Sequence, residues 1–226
     1  MSRRYFIAGT DTGVGKTRVC CALLAAARGA GHAVAGMKPV SAGLIEQDGH
    51  LINEDVADIR RASGQIDPLS QINPYALELP VSPHIAADRA HIMLDIDTIS
   101  AAADRLGRAR ELLLIEGAGG WYAPISATAT MAEVAKALNA PVLLVVGLKL
   151  GCLSHARLTL EAIRASALPF AGWIASELDA HMLEKSANLL ALERIFGKSP
   201  LFLLPHAADP SADAQQAIDA LPQLLA

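Results

Sequence analysis

Cysteine is scarce in this chain. There are three in 226 residues, Cys20, Cys21 and Cys152, with no C-x-x-C spacing. That excludes a disulfide framework and a cysteine-rich metal site, and it reads as free buried thiols in a reducing, cytoplasmic setting. Long apolar runs are missing too. No stretch approaches the roughly 18 residues of a membrane span. The start, MSRRYFIAG, has too short an apolar segment for a signal peptide and reads as a first strand. An excess of positive charge is also lacking: 19 Lys and Arg stand against 23 Asp and Glu, a net charge of -4. Nucleic acid is therefore not the expected main partner. Repeats, low-complexity tracts and an interdomain linker are absent from the sequence. What remains is 52% hydrophobic and 19% charged, too apolar for disorder and long enough to bury a sizeable core. We expect one domain over residues 1–226.

Short apolar runs alternate with helical patterns. Tyr5–Ala8, Val34–Met37, Leu112–Ile115, Val142–Val146, Phe170–Ala175 and Leu201–Leu204 read as strands. Several are apolar at consecutive positions, as strands buried on both faces are. Thr17–Ala30, Ile96–Ala109, Met131–Leu138, Ser154–Ala167 and His181–Phe196 read as helices. The alternation predicts an α/β fold, a parallel sheet with helices on both faces. Asp67–His84 breaks the rhythm with four prolines. Its apolar residues Ile72, Tyr75, Leu77 and Leu79 predict an ordered, packed loop.

The stretch TDTGVGKT joins the first strand to the first helix. It is nearly the phosphate-binding pattern G-x-x-x-x-G-K-[ST], but Thr10 stands where the first glycine belongs. The half that cradles phosphate, Gly13-Val14-Gly15-Lys16-Thr17, is intact. Such a loop aims successive N–H groups and a helix dipole at an anion. Lys16 would reach the β- and γ-phosphates, and Thr17 would place its hydroxyl on Mg²⁺. The fold expectation thus sharpens to a P-loop NTPase-like sheet. A second signal is LLLIEGAGG, where Glu116 ends an apolar strand. Strand C-termini line the ligand crevice of a parallel sheet, and Mg²⁺ takes one or two carboxylates besides phosphates and water. A third acid is open among Glu54, Asp55 and Asp58, since acids at a helix start also serve the dipole. Lys38, in GMKPVSAG, would meet developing negative charge or would be an ordinary surface lysine.

GTDTGVGKT, MKPVSAG, SPHIAA, IEGAGGWYAPI and VVGLKLGCLSHA, in this order, resemble the dethiobiotin synthetase family from about Tyr5 to Pro205. The resemblance implies a homodimeric P-loop enzyme that uses Mg-ATP and CO₂ to close a cyclic urea on 7,8-diaminopelargonic acid. It implies that Thr12 lies between ATP and the second substrate, that Gly13, Val14, Gly15, Lys16, Thr17 and Arg18 form the ATP loop, and that Lys38 contacts the carbamate and the transferring phosphate. Catalysis would rest on Lys38, Lys16 and Thr12. Thr17, Asp55 and Glu116 would be the metal ligands, and Gly117, Ala118 and Gly119 would line the nucleotide. Ser176, Glu177, Pro205, His206 and Ala207 would lie on the adenine side. Ser41 and Ala42 would meet the substrate. Gly151, Cys152, Leu153 and Ser154 would hold its distant carboxylate from the partner subunit, as a helix N-terminus holds an anion.

Three departures stand out. Ala42 replaces a hydroxyl residue found in some members, Gly13 replaces an acid, and Ser176 replaces an asparagine that reads adenine. Serine has one hydroxyl where the amide pairs a donor with an acceptor, so base selection is expected to be looser. The competing reading is a switch or partitioning ATPase. That class needs a lysine early in the loop, where Asp11-Thr12 stand here. It often has an amphipathic membrane helix as well, and the C-terminal DAQQAIDALPQLLA lacks a basic face.

Overall fold

A computed structural model describes residues 2–47, 49–64, 67–206 and 209–226. In chain order the elements begin β1 (Arg3–Gly9), α1 (Lys16–Gly29), β2 (Val34–Met37), β3 (Val40–Ala42), β4 (Ile45–Gln47), β5 (His50–Ile52) and α2 (Glu54–Ser63). Next come α3 (Leu69–Ile72), β6 (Tyr75–Leu77), α4 (Pro83–Ala90), α5 (Ile96–Gly107) and β7 (Leu112–Glu116). The remainder is α6 (Met131–Ala137), β8 (Val142–Leu148), α7 (Cys152–Ala165), β9 (Phe170–Glu177), α8 (Lys185–Phe196), β10 (Leu203–Leu204), α9 (Pro210–Ala217) and α10 (Leu221–Leu225).

Among the described residues, six strands form one sheet in the order β10-β9-β8-β1-β7-β2, and every pairing in it is parallel. The apolar runs explain the position of each strand. β7 and β8 are buried at every residue, which requires cover on both faces. Successive side chains of β1 go to opposite cores. Phe6 and Ala8 join the cluster that contains α5, α6 and α7 residues, whereas Ile7 joins the cluster built on α1 and α9. Leu113 and Leu112 divide in the same way. Each large side chain so buried contributes roughly 1.5–3 kcal/mol, and the two-sided pattern is what holds helices on both faces.

The chain leaves β1 for β2 on one side of the sheet and later returns to place β8 on the other side of β1. The strand order therefore reverses around β1. In such sheets the ligand crevice lies beyond the strand C-termini at that reversal. Gly9, Glu116 and Leu148 end β1, β7 and β8 there.

Two local expectations change. The proline-rich stretch 67–84 is ordered, but it is not simply a loop. It contains α3 and β6, and β6 pairs in parallel with β3 outside the main sheet. Three-residue strands are too short to show a period. Ile72 and Leu77 are buried, and Leu79 is exposed. The helix expected from His181 begins only at Lys185. Asp179 turns the chain by accepting from the His181 N–H (2.8 Å), and Glu184 adopts a left-handed φ of 51°. The three cysteines are free thiols. Burial is the main cause that pushes Cys21 up to about 12.

Candidate active site

β1 delivers the phosphate-type loop to the start of α1. Gly13 (φ 71°) and Gly15 (φ 90°) take left-handed conformations that suit glycine. Gly15 is the N-cap of α1 and offers no side-chain cap, so the first-turn N–H groups keep their anion-binding capacity. A Cβ on Gly15 would lie 2.6 Å from Ser176 Oγ. Val14 is wholly buried in the core beneath the loop, which leaves its backbone for a ligand. Asp11 organises the unusual half of the loop. Its Oδ1 accepts from the Thr12 N–H (2.8 Å), its carbonyl accepts from Lys16 Nζ (3.0 Å), and its Oδ2 accepts from Lys149 Nζ (3.1 Å).

A charged centre sits beside this loop. Glu116, fully buried, accepts through one oxygen from both Lys38 Nζ (2.6 Å) and Thr17 Oγ1 (2.9 Å). Lys38 also pairs with Asp55. Of the three acids near the start of α2, only Asp55 reaches the centre. Asp58 pairs with Arg61 at the surface (2.7 Å), and Glu54 is exposed. Burial works against the charge on Lys38, but the adjacent Glu116 and Asp55 outweigh it and hold the ammonium above its usual range. Burial opposes ionisation of Asp55, yet Lys38 keeps its carboxyl below the usual range.

Lys16, nearly buried, has no carboxylate partner of its own among the described residues. Burial is the main cause that lowers it to about 8, against the attraction of Glu116. Its folded value lies below its unfolded one, so the neutral amine is favoured as pH rises through 8, and a phosphate expected on Lys16 would lose a cation there. ADP affinity, measured by calorimetry from pH 7 to 9.5, is expected to weaken above about pH 8, by up to about tenfold per unit. A flat profile would contradict that role for the Lys16 ammonium.

The donor set suits Mg²⁺. Glu116 Oε2 is buried and has no hydrogen-bond partner, and the Thr17 hydroxyl and the Asp55 carboxylate adjoin the same centre. Among the described residues no group of three or more His, Cys, Asp and Glu side chains would hold a metal by itself. Mg²⁺ does not require one, because it binds through one or two carboxylates together with substrate phosphates and water.

A cleft of about 1270 Å³ opens here, lined by Thr12, Gly13, Gly15, Lys16, Thr17, Lys38, Asp55, Glu116 and Gly119. It continues along α1 towards α9. Arg18 faces α9, where its guanidinium grips the buried Asp213 through Nε (2.5 Å) and Nη2 (2.6 Å). Gly117 lies against the Phe6 ring, 2.8 Å from a Cβ placed there, and Ala118 is buried beside it. Trp121 is a core residue set edge-on to Phe6, whereas Tyr122 is exposed.

Of the residues expected on the adenine side, Ser176 is 2% exposed and lies against Gly15. The Glu177 carboxylate is engaged at both oxygens, accepting from Lys185 Nζ (2.7 Å) and from the His206 N–H (3.1 Å). It thereby pins the loop that carries Pro205 and His206. Ala207 lies outside the described residues.

Sequence reasoning missed two asparagines that hold the Lys38–Gly43 segment. Asn73 accepts from Ser41 Oγ (2.9 Å) and donates to the carbonyls of Lys38 (2.7 Å) and Tyr75 (3.2 Å). Asn53 stands at the N-cap of α2 but makes no capping bond. Its Nδ2 donates instead to the carbonyls of Gly43 (2.8 Å) and Ala42 (3.3 Å). An N-cap asparagine is an ordinary helix-start signal, so nothing local marks this diversion. His84 pairs with Ser82 (3.0 Å) at the start of α4. Gly151, Cys152, Leu153 and Ser154 form the start of α7, with Gly151 its left-handed N-cap. They do not line the Lys38 cleft of their own chain. Lys149, two residues earlier, ties that turn to Asp11.

Comparison with known proteins adds three findings. Residues 3–209 match the AAA domain family. The ATP-dependent dethiobiotin synthetase BioD of Aromatoleum aromaticum is 46% identical, over 92% of this chain and 94% of that protein. The protein of the same name from Nitrosospira multiformis is 44% identical, over 95% and 92%. Among solved structures, the MinD cell division protein of Aquifex aeolicus superposes with a TM-score of 0.62 at 14% identity, covering 99% of this chain and 97% of that one. A ParA family ATPase from Chlorobium tepidum gives 0.56 at 15%, covering 100% and 96%. These two likenesses are of fold alone, that of the P-loop NTPases.

Proposed function

Since the chain belongs to the ATP-dependent dethiobiotin synthetase family, and is thus an ATP-dependent ligase that forms carbon–nitrogen bonds, we propose that it closes the ureido ring of dethiobiotin on 7,8-diaminopelargonate. The supporting observation is the convergence of Lys38 and Thr17 on Glu116 beside the Lys16 loop. It gathers the charges needed to bring two anions together.

The chemistry runs in three steps. One substrate amine adds to CO₂ and loses a proton, giving a carbamate. A carbamate oxygen attacks the γ-phosphorus of ATP, and ADP leaves. The second amine attacks the carbamoyl carbon, loses its proton and expels phosphate. In this reading the loop N–H groups and Lys16 hold the β- and γ-phosphates. Lys38 faces the carbamate and the transferring phosphoryl group, so that neither anion repels the other out of line. Thr12 stands between the two substrates. Thr17, Asp55 and Glu116 would hold Mg²⁺, which when bound supplies further positive charge to the phosphate oxygens. Ser41 and Ala42 border the diamine. Gly151–Ser154 of a second copy would hold the distant carboxylate at the start of α7. No helix among the described residues is long and apolar enough to cross a membrane.

The deciding experiment is ATP consumption with and without diaminopelargonate plus bicarbonate. Turnover that depends on that addition, with dethiobiotin as product, is expected. Hydrolysis unchanged by it would overturn the reading and favour a nucleotide switch. Light scattering tests the shared site, because an active monomer would remove Gly151–Ser154 from it. With Ser176 buried and Glu177 engaged, no paired donor and acceptor is left on these side chains to read the base. Turnover with ATP, CTP and GTP at matched concentrations is expected to fall within about tenfold, since a missing polar readout forfeits the larger discrimination. Strict ATP preference would refute this.

A further inference from the structure

We propose that Asn73 is a positioning residue for Lys38, an inference that rests on the role of Lys38 given above. β2 ends at Met37, so Lys38 is the first residue beyond the main sheet. Its backbone is held by what lies across from it. The Lys38 N–H donates to the Ile72 carbonyl (2.9 Å). The Lys38 carbonyl accepts from Asn73 Nδ2 (2.7 Å). The next residue, Pro39, has no N–H, and its carbonyl accepts from the Tyr75 N–H (3.1 Å).

The Asn73 amide is spent on this turn. Its two N–H donors go to the Lys38 and Tyr75 carbonyls, and its oxygen accepts from Ser41 Oγ. Asn73 is 8% exposed and Ser41 is 1% exposed, so water does not readily replace these bonds. The far end of the segment is held separately, by Asn53 on the Ala42 and Gly43 carbonyls. At the Lys38 end, Asn73 is the side chain that joins the backbone bonds to Ile72 and Tyr75. A lysine ammonium sits on a flexible four-carbon stem, and the origin of that stem sets where it can reach. A displacement of about 1 Å in such a group lowers rates by about 100-fold.

The test is kcat per ADP-binding site, counted by calorimetry, for Asn73→Asp, Asn73→Ala and Lys38→Met. Asn73→Asp keeps the shape and the acceptor but replaces the donating NH₂ with an oxygen that faces two carbonyls. Both Asn73 variants are expected to lower kcat about 10- to 100-fold while ADP affinity and KM for ATP stay within threefold. A purely structural role would lower the melting temperature and the number of competent sites but leave kcat per site unchanged, which would overturn the proposal. So would ADP affinity falling in step with kcat. If neither Asn73 variant binds ADP, Ser41→Ala decides, because it deletes one of the three bonds. A kcat lowered threefold or more with KM for the diamine unchanged supports the proposal, and a kcat that is unchanged, or that falls only together with a raised KM for the diamine, overturns it. Lys38→Met separates the two readings. If it retains kcat, the role of Lys38 itself is wrong. If it loses kcat while the Asn73 variants do not, only the positioning inference fails.

Discussion

Lys38→Met is expected to lower kcat for ureido-ring formation by about a thousandfold, with ADP affinity changed less than about threefold. Removing one preorganised donor from a charge-developing site lowers rates by about 10²–10³, and removing a cation aimed at a transferring phosphoryl group lowers them by about 10³–10⁵. Lys38 would serve both ends of that event, the carbamate and the phosphoryl group, so the upper part of the first range applies. ADP has no γ-phosphate and is held by the loop and Lys16, which the substitution leaves in place. Stability should fall as well. Lys38 and Glu116 form a buried pair at 2.6 Å, and breaking such a pair costs about 3–5 kcal/mol because the remaining charge stays buried. For a chain of this length that is a melting temperature lower by about 6–20 °C. Lys38→Arg should not restore activity, because a planar fork does not replace a compact ammonium. Steady-state kinetics, ADP calorimetry and a thermal melt check all three. A kcat within tenfold of the parent would refute the assignment.

Glu116→Gln is the second large effect. Its side chain is wholly buried at the end of β7 and receives both Lys38 and Thr17 on one oxygen, while the other oxygen has no partner. The amide keeps the shape but removes the charge. We expect kcat/KM to fall by about 10²–10³, the scale on which one electrostatic element of such a site acts. The Mg²⁺ concentration for half-maximal activity should rise at least about tenfold, since second- and first-sphere ligand losses act on that scale. Binding of Mn²⁺ in the presence of ADP, read by its paramagnetic resonance signal, should weaken in parallel. ADP binding in EDTA should be unaffected. If the metal requirement and Mn²⁺ affinity stayed within twofold, Glu116 would be only the counter-ion of Lys38. The two substitutions thus separate a lysine that faces the reacting anions from a carboxylate that serves both the lysine and the metal.

Much of this was legible in the residues. Uninterrupted apolar runs such as LLLI and VLLVV demanded strands covered on both faces, and the sheet order places them in β7 and β8 beside β1. GVGKT between a strand and a helix placed an anion loop at the head of α1. The short, irregular parts were not legible. β3 and β6 are three residues each and owe their existence to one another. The start of α8 was misplaced because one non-glycine residue, Glu184, takes a left-handed φ.

The division between the two sources of information follows from range. Hydrophobic period and turn chemistry act over a few residues, so the sequence by itself determined the α/β alternation, the phosphate-type loop, and a carboxylate at the end of β7. Which polar group meets which is a matter of tertiary structure. Arg18 stands in the loop motif, but its guanidinium goes to Asp213, 195 positions away. Ser41 turns to Asn73, Glu177 to Lys185 and His206, and Asn53 to two carbonyls instead of its own helix. Glu54, Asp55 and Asp58 share one helix start, yet only Asp55 meets Lys38. A buried polar group must be satisfied by whatever the fold brings within about 3 Å of it, and no local pattern in the chain records that distance.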